Sequence, residues 1–330
     1  MTEILVTGVG SLLGQGILKS LANSSLKYSV SGTDYFPSAV GLYWVDKGFI
    51  LPDILDATVR EEDWIKALIE VIESQNIQIV LPGLDFEIPL FAKYREFIEE
   101  ETGAIVVVSP KEVVRVAHDK WETVRYLNAN GFCTPYSCLP KDIANFLECN
   151  SLPLIVKPRF GNTSKNVSLA RTEVDLEKAI ENCPSPIIQQ YLDRSDAEYT
   201  CGATYLDNEV ATVISLRRTL KNGNTYEAFC EETPVIDQYI EQVTRTLKPL
   251  GPINFQLRLT EIGPVIFEIN ARFSGTTPLR AEFGINEVEV VIRKLLGEEP
   301  MHNYEERHGV IVRYLENHFI SWEQYESHTR

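Results

Sequence analysis

Along the first hundred residues the spacing of apolar positions switches repeatedly between strand and helix periods. ILVTGV (4–9) is an apolar run of strand length, and SLLGQGILKSLA (11–22) places Leu13, Ile17 and Leu21 four apart, the stripe of a helix. YSVSGTDYF (28–36), IQIVLPG (77–83) and AIVVVS (104–109) read as further strands, and DWIKALIEVIES and PLFAKYREFIEE as helices. Strands alternating with helices predict a doubly wound parallel sheet.

From about Val113 the pattern changes. HDKWETVRYLNANG predicts one helix, followed by TPYSCL, a short helix and the apolar strand LPLIVKPR (152–159). Beyond about 187 strands dominate: IIQQYL, EYTCGATYL, a turn at Asp207-Asn208, EVATVISLRRTL, a KNGN turn and TYEAFCEE. A helix over 233–249 leads to NFQLRL (254–259), a turn at Ile262-Gly263, the strand VIFEINAR, a helix over 285–296 and a late strand, GVIVRYL. The expected fold class is therefore α/β at the start and antiparallel-rich α+β afterwards. The apolar residues Ile311, Val312 and Tyr314 near the end suit either internal packing or a homodimer contact.

Composition narrows the function. Apolar residues make up 44% and charged residues 24% of 330, the balance of a globular protein with a substantial core. A net charge of −16 argues against a nucleic-acid surface, so any polyanion must be held by cations gathered in a cleft. The start, MTEILVTGVG, lacks a basic leader, and no apolar run reaches membrane-spanning length, which leads to the expectation of a cytoplasmic protein with no membrane partner. The cysteines (133, 138, 149, 183, 201, 230) form no CxxC pair, which suits buried thiols better than a disulfide frame or zinc site; His302 and His308 fall in a charged stretch and lack metal-ligand spacing.

Four stretches carry candidate chemistry. Gly8, Gly10, Gly14 and Gly16 lie between a strand and a helix, and Asp34 ends the next strand, roughly where a dinucleotide-binding unit places its ribose acid. Ser11 stands where a TGxxGxxG pattern needs its middle glycine, so a tight strand-to-helix turn explains the glycines equally. In LIVKPRFGNTSKNV, Lys157 ends an apolar strand, where an ammonium is costly unless an anion meets it; the loop that follows, with Gly161 and Ser164, offers backbone N–H groups to phosphate. A lysine snorkelling from a strand end would look the same. In IIQQYLDRSDAEYT, extended backbone suits an adenine edge and Glu198 suits ribose hydroxyls. Finally, Glu268, Asn270 and Arg272 alternate along one strand, and hairpin pairing would bring Gln256 opposite Glu268 and Asn270, with Phe267, Ile269 and Ala271 on the other face. Three oxygen-bearing side chains fit Mg²⁺ that keeps waters and bridges phosphates, and suit zinc poorly.

Taken in order, ILVTGVGSLLGQG, HDKWETVRYLNANGFCTP, LPLIVKPRFG, QQYLDRSDAEYT, GPINFQLRL and FEINARFSGTTPLRAEFG resemble the ATP-grasp superfamily, most closely one ATP-grasp half of the carbamoyl-phosphate synthetase large subunit and small carboxylate–amine ligases. The likeness covers nearly the whole chain. It implies an N-terminal Rossmann-like pre-ATP-grasp domain over 1–112, a small subdomain over 113–190 and a C-terminal subdomain with metal-binding strands over 191–330. It implies that Lys120 and Lys157 hold ATP phosphates, that Gln190 and Leu192 meet adenine, and that Glu198 meets ribose. Gln256, Glu268 and Asn270 would carry Mg²⁺ (or Mn²⁺), and Arg272 would meet the γ-phosphate or acyl phosphate. Candidate substrate contacts are Asp85 and Glu87 in LPGLDFE, Arg217, Arg218 and Lys221 on a strand and its turn, and Ser274. Related phosphate loops often have glycines where this chain has Thr163 and Asn166.

The function so implied is an ATP-dependent ligase joining a small-molecule carboxylate and an amine through an acyl phosphate. Two alternatives stand beside it: a nicotinamide-dependent oxidoreductase, from the glycine turn and Asp34, and a nucleotide-binding protein without turnover, from the altered loop.

Overall fold

The computed structural model describes residues 2–161, 166–193, 197–298 and 307–329. Strands β1 (Thr2–Val6), β2 (Tyr28–Asp34), β3 (Lys47–Ile50), β4 (Ile79–Leu81) and β5 (Ile105–Val106) form a parallel sheet in the order β3-β2-β1-β4-β5. Alternation along β1 decides which side each residue serves. Leu5 packs with Trp64, Leu68 and Phe91 of helices α2 (Glu61–Ser74) and α3 (Ile88–Thr102), while Ile4 and Val6 pack with Ile17 and Leu21 of α1 (Leu12–Ala22). The same second core takes in Val288, Val291 and Ile292 from late in the chain, so the first sheet is covered on both faces and fastened to the C-terminal part.

The helix expected over 118–131 is α5 (Lys120–Ala129), and a further helix, α4 (Lys111–His118), precedes it. The two are separated at Asp119, whose backbone is extended (φ −109°, ψ 111°) and whose carboxylate caps α5 by accepting the Trp121 N–H.

Two antiparallel sheets follow. Strands β6 (Ser137–Cys138), β7 (Leu154–Pro158), β8 (Ser168–Ala170) and β9 (Pro186–Gln190) form the smaller, in the order β6-β9-β7-β8, packed on α6 (Ile143–Cys149) and α7 (Glu173–Asn182) through Leu154, Val156, Leu176 and Ile188. The larger runs β14-β13-β10-β11-β12-β15, with β10 (Ala197–Leu206), β11 (Glu209–Lys221), β12 (Asn224–Cys230), β13 (Gly251–Thr260), β14 (Gly263–Asn270) and β15 (Gly309–Val312). Helix α8 (Pro234–Leu247) covers one face over Phe255, Leu257, Ile266 and Ile269. Near the opposite face α9 (Thr277–Glu282) and α10 (Glu287–Leu295) carry Arg280 and Glu287, a pair 1% exposed on both sides at 3.0 Å. Arg280 also donates to Asn254 (2.5 Å) and Thr200 (3.3 Å), so this pair is tied to β13 and β10 of the large sheet. A last helix, α11 (Trp322–Ser327), follows β15, where Ile311 packs inward while Val312 and Tyr314 are exposed.

The glycine-rich opening is a packing device. A Cβ on Gly14 would come within 2.2 Å of the Gly8 carbonyl oxygen, and one on Gly83 within 2.1 Å of the Thr7 carbonyl oxygen. Ser11 Oγ accepts the Leu13 and Gly14 N–H groups and donates to the Gly83 carbonyl at 2.7 Å. Gly83→Ala is expected to cost about 1–3 kcal/mol by overpacking, read as a lower denaturant midpoint with unchanged slope.

Candidate functional site

Lys157 ends β7, and Pro158 after it cannot continue the ladder. Its side chain reaches a cleft of about 510 Å³ between the small and large sheets. The residue is 8% exposed, yet no ion pair involves it among the described residues; its ammonium donates only to the Phe267 carbonyl at 3.3 Å and lies 5.5 Å from the Phe267 ring centre. Burial holds its pKa down at about 8; Glu268 partly opposes that shift, and Lys120 adds to it. A buried cation facing a cavity without a paired carboxylate is an anion site in waiting.

The far wall of the cleft is the β13–β14 hairpin. Gln256 lies opposite Glu268 and Asn254 opposite Asn270. Gln256 Nε2 donates to Glu268 Oε1 at 3.1 Å and Asn270 Nδ2 donates to the same oxygen at 3.0 Å, so two amides and one carboxylate converge. A β-bulge between Gln256 and Leu257 shifts the register, and Phe267, expected on the opposite face, lines the cleft beneath Lys157. The donor set is all oxygen and amide, and no group of three or more His, Cys, Asp or Glu gathers among the described residues. Such a set fits Mg²⁺ shared with phosphate oxygens and water better than a closed protein cage.

Neighbouring cations sharpen the charge. Glu198 receives Arg218 on Oε1 (2.7 and 3.0 Å) and Arg258 on Oε2 (2.6 Å), and Arg218 also donates to Gln256 Oε1 at 2.7 Å. The two carboxylate oxygens expected to meet ribose are thus already engaged by arginines, as is the Gln256 oxygen expected to meet metal. The net negative chain concentrates Lys120, Lys157, Arg218 and Arg258 in one cleft. Lys120 is tied to the loop after β7 through the Gly161 carbonyl (2.7 Å). Gln190 and Leu192 line the cleft where β9 leaves the small sheet. Ser164 and Thr163 lie outside the described residues. Asn166 sits at φ 57°, a left-handed conformation that asparagine adopts more readily than other side chains, which explains how it stands in for a loop glycine.

A second, small pocket of about 30 Å³ opens beyond the hairpin, where α4, β14 and the β4–α3 turn meet. Arg272 donates from Nε to Asp85 at 2.5 Å and from Nη2 to Asn270 Oδ1 at 3.2 Å, bridging the first sheet's loop and the end of β14. Asp85, His118 and Lys120 also line this pocket.

Four of the substrate candidates have partners within the protein. Glu87 is 1% exposed, accepts Thr7 Oγ1 and Tyr35 OH at 2.5 Å each, and has its pKa pushed up to about 7 by burial; it joins the ends of β1, β2 and β4 rather than facing a ligand. Arg217 points away from Arg218, as adjacent strand residues must, and pairs with Glu231 (2.9 Å) over the Phe229 ring. Lys221 lies over Tyr226 at the exposed hairpin end. Ser274 is 5% exposed and bonded within its turn to Thr276. The nicotinamide alternative also loses its geometry: Asp34 accepts the Gly10 N–H (2.7 Å) and Tyr35 N–H (2.8 Å), and Leu84 sits against Gly8 where a pyrophosphate would approach.

Family models match both parts of this architecture. One described as ATP-grasp in the biosynthetic pathway with Ter operon matches residues 182–318, and one described as PylC-like, N-terminal domain matches residues 4–107. Residues 182–318 thus match an ATP-grasp family model, and the chain has the ATP-grasp fold. Among curated relatives, the carbamoyl-phosphate synthase of Methanobrevibacter smithii is 26% identical over 50% of the chain and 43% of the relative. The coenzyme gamma-F420-2:alpha-L-glutamate ligase of Methanococcus maripaludis is 29% identical over 32% of the chain and 38% of the relative. The chain thus spans less than half the length of these relatives. Among solved structures, the biotin carboxylase domain of Hydrogenobacter thermophilus 2-oxoglutarate carboxylase, in complex with MgADP, ADP and bicarbonate, superposes with a TM-score of 0.73 at 12% identity, over 94% of this chain and 73% of that one. That likeness establishes the ATP-grasp fold.

Sequence reasoning missed Arg258, Phe267 and His118. Arg258 follows Gln256 by two and so shares its face; His118 immediately precedes the Asp119-Lys120 pair; Phe267 gave no signal because the bulge has none in the pattern. Lys157→Met removes an underpaired buried charge and leaves its bulk. The expected result is an equal or higher melting temperature together with MgADP binding weakened by about tenfold to a hundredfold, measured by calorimetric titration. Equal losses in both would mean that Lys157 is a structural residue.

Proposed function

We propose that this ATP-grasp chain is an ATP-dependent carboxylate–amine ligase that works through an acyl phosphate. The observation that carries this reading is the unpaired Lys157 ammonium across the cleft from Glu268, with Gln256 and Asn270 converging on the same carboxylate. Support also comes from relatives that are named as a glutamate ligase and a carbamoyl-phosphate synthase, and from the MgADP bound by the biotin carboxylase neighbour.

In this reading the adenine enters beside Gln190 and Leu192, and the phosphates lie between Lys157, Lys120 and the loop at Gly161. Bound Mg²⁺ supplies charge neutralisation on the phosphate oxygens, and Mn²⁺ would fit the same oxygen donors. Glu268 and Asn270 present those donors, with Gln256 joining once its oxygen leaves Arg218. A substrate carboxylate oxygen attacks the γ-phosphorus in line and ADP leaves; the amine nitrogen then attacks the acyl carbon, phosphate leaves, and one proton is released. Arg272, on the strand end two residues beyond Asn270, stabilises the charge on the acyl phosphate. Catalysis of this kind rests on positioning and preorganised charge, so no nucleophilic side chain is required.

A second reading, nucleotide binding without turnover, draws on Arg218, which occupies Gln256 and Glu198 together. Screening the proteinogenic amino acids and common sugar and hydroxy acids, alone and in pairs with amines, for ADP formation separates the two. The ligase reading predicts ADP release dependent on both an acid and Mg²⁺. Glu268→Gln should lower that release at least about a hundredfold with an unchanged melting temperature. ADP release that survives this substitution would overturn the metal assignment.

A further inference from the structure

We infer that His118 is the proton acceptor for the incoming amine, and that the pocket it lines with Asp85 and Arg272 receives the amino end of the second substrate. The inference rests on the ligase reading and adds to it a site and a residue.

An amine reaches an enzyme at neutral pH as an ammonium, and only its free base can attack an acyl carbon. The proton must therefore pass to a group beside the point of attack. The small pocket has that place. It is lined by Glu268 and Asn270 and by Arg272, which in the ligase reading meets the acyl phosphate. Its volume of about 30 Å³ suits one amino group and not a whole molecule. Asp85, on its rim, offers a carboxylate that draws an ammonium in; in this structure it holds the Arg272 guanidinium instead. An arriving ammonium competes for Asp85 and frees Arg272 for the acyl phosphate, so amine entry and charge stabilisation are linked through one carboxylate.

Of the groups lining this pocket, His118 alone combines a basic nitrogen with freedom from a competing duty. Lys120 is a cation bonded to the Gly161 carbonyl, Asp85 is paired with Arg272, and Glu268 accepts two amides. The imidazole stands at the C-terminal end of α4, its ring centre 5.8 Å from that of Phe160. The charged groups around it come from each neighbouring element: Lys120 and Asp119 on α5 and its cap, Asp85 from the β4–α3 turn, Glu268 and Arg272 from β14 and its end, and Arg159, paired with Asp119, from the loop after β7. Desolvation first, and Lys120 second, hold its pKa below the ordinary histidine value, against the opposing pull of Asp85 and Asp119. The ring is therefore neutral and able to accept a proton through the neutral range. Activity that depends on it falls as pH drops through that lowered pKa. The step balances: the N–C bond forms, the C–O bond to phosphate breaks, phosphate leaves with its electron pair, and the amine proton passes to the imidazole and then to solvent.

The test compares two acceptors for the same acyl phosphate. Hydroxylamine, unprotonated at neutral pH, traps the acyl group as a hydroxamate without help from a base, whereas an amino acid needs one. Each proteinogenic amino acid serves in turn as carboxylate, with hydroxylamine or glycine as acceptor, for wild type, His118→Gln and His118→Ala. The expected result is that amide formation falls about 10²- to 10⁴-fold while hydroxamate formation falls far less. The acid limb of the wild-type profile for the amine should vanish in both variants, and added imidazole should restore amide formation in His118→Ala. A parallel fall of both products, or no fall in either, overturns the role of His118. If wild type gives hydroxamate but amide formation is insensitive to Asp85→Asn, the pocket assignment fails. A wild-type protein that traps no hydroxamate with any acid overturns the ligase reading itself.

Discussion

Among the described residues the Lys157 ammonium is held out of water with no carboxylate paired to it, and the cleft is arranged around that constraint. Lys157 emerges from an otherwise apolar strand, and Phe267 provides only a carbonyl and a ring face. An arrangement of this kind is costly in the unliganded chain and becomes favourable when phosphate arrives. The two antiparallel sheets hold that ammonium and the Glu268 carboxylate on facing walls. The bulge after Gln256 places Phe267 between them. The bonded network of Arg280, Glu287, Asn254 and Thr200 lies under the same strands and fixes their polar face. If Lys157 is the phosphate-binding group proposed, stability and binding pull in opposite directions at position 157.

Much of this was legible in the chain. Alternation along VIFEINAR placed Glu268 and Asn270 on one side, and pairing with NFQLRL brought Gln256 opposite Glu268. The helix stripe of Leu13, Ile17 and Leu21 and the strand–helix alternation gave the parallel sheet, because burial on both faces leaves a strong periodic imprint. What was not legible depended on a single residue against the trend. The short helix α4, closed off by the capping Asp119, was not read from the sequence at all. Parity on β11 sent Arg218 into the cleft and Arg217 away from it, and a one-position uncertainty in strand phase is enough to exchange the two. Glu87 and Ser274 carried polar side chains in suggestive places, and only their hydrogen-bond partners revealed that they serve the fold.

The opening glycines show how one sequence feature supports two physical accounts. A glycine turn between strand and helix suits a pyrophosphate or a crossing backbone, and the decision lies in what fills the space. Here Leu84, the Gly8 and Thr7 carbonyls and the Ser11 cap fill it, and Asp34 spends its oxygens on backbone N–H groups. The first sheet thus supplies Asp85 to the small pocket beyond the hairpin, where the amine is proposed to enter, while the nucleotide is assigned to the later sheets.

The account's central claim is that the cleft between the small and large sheets holds a magnesium nucleotide. Calorimetric titration of the intact chain with ADP, in the presence and absence of Mg²⁺, with NADH as the competing ligand, tests it most directly. The account predicts saturable binding of one ADP per chain that strengthens with Mg²⁺ and no heat with NADH. Binding of NADH, or ADP binding indifferent to Mg²⁺, would contradict it.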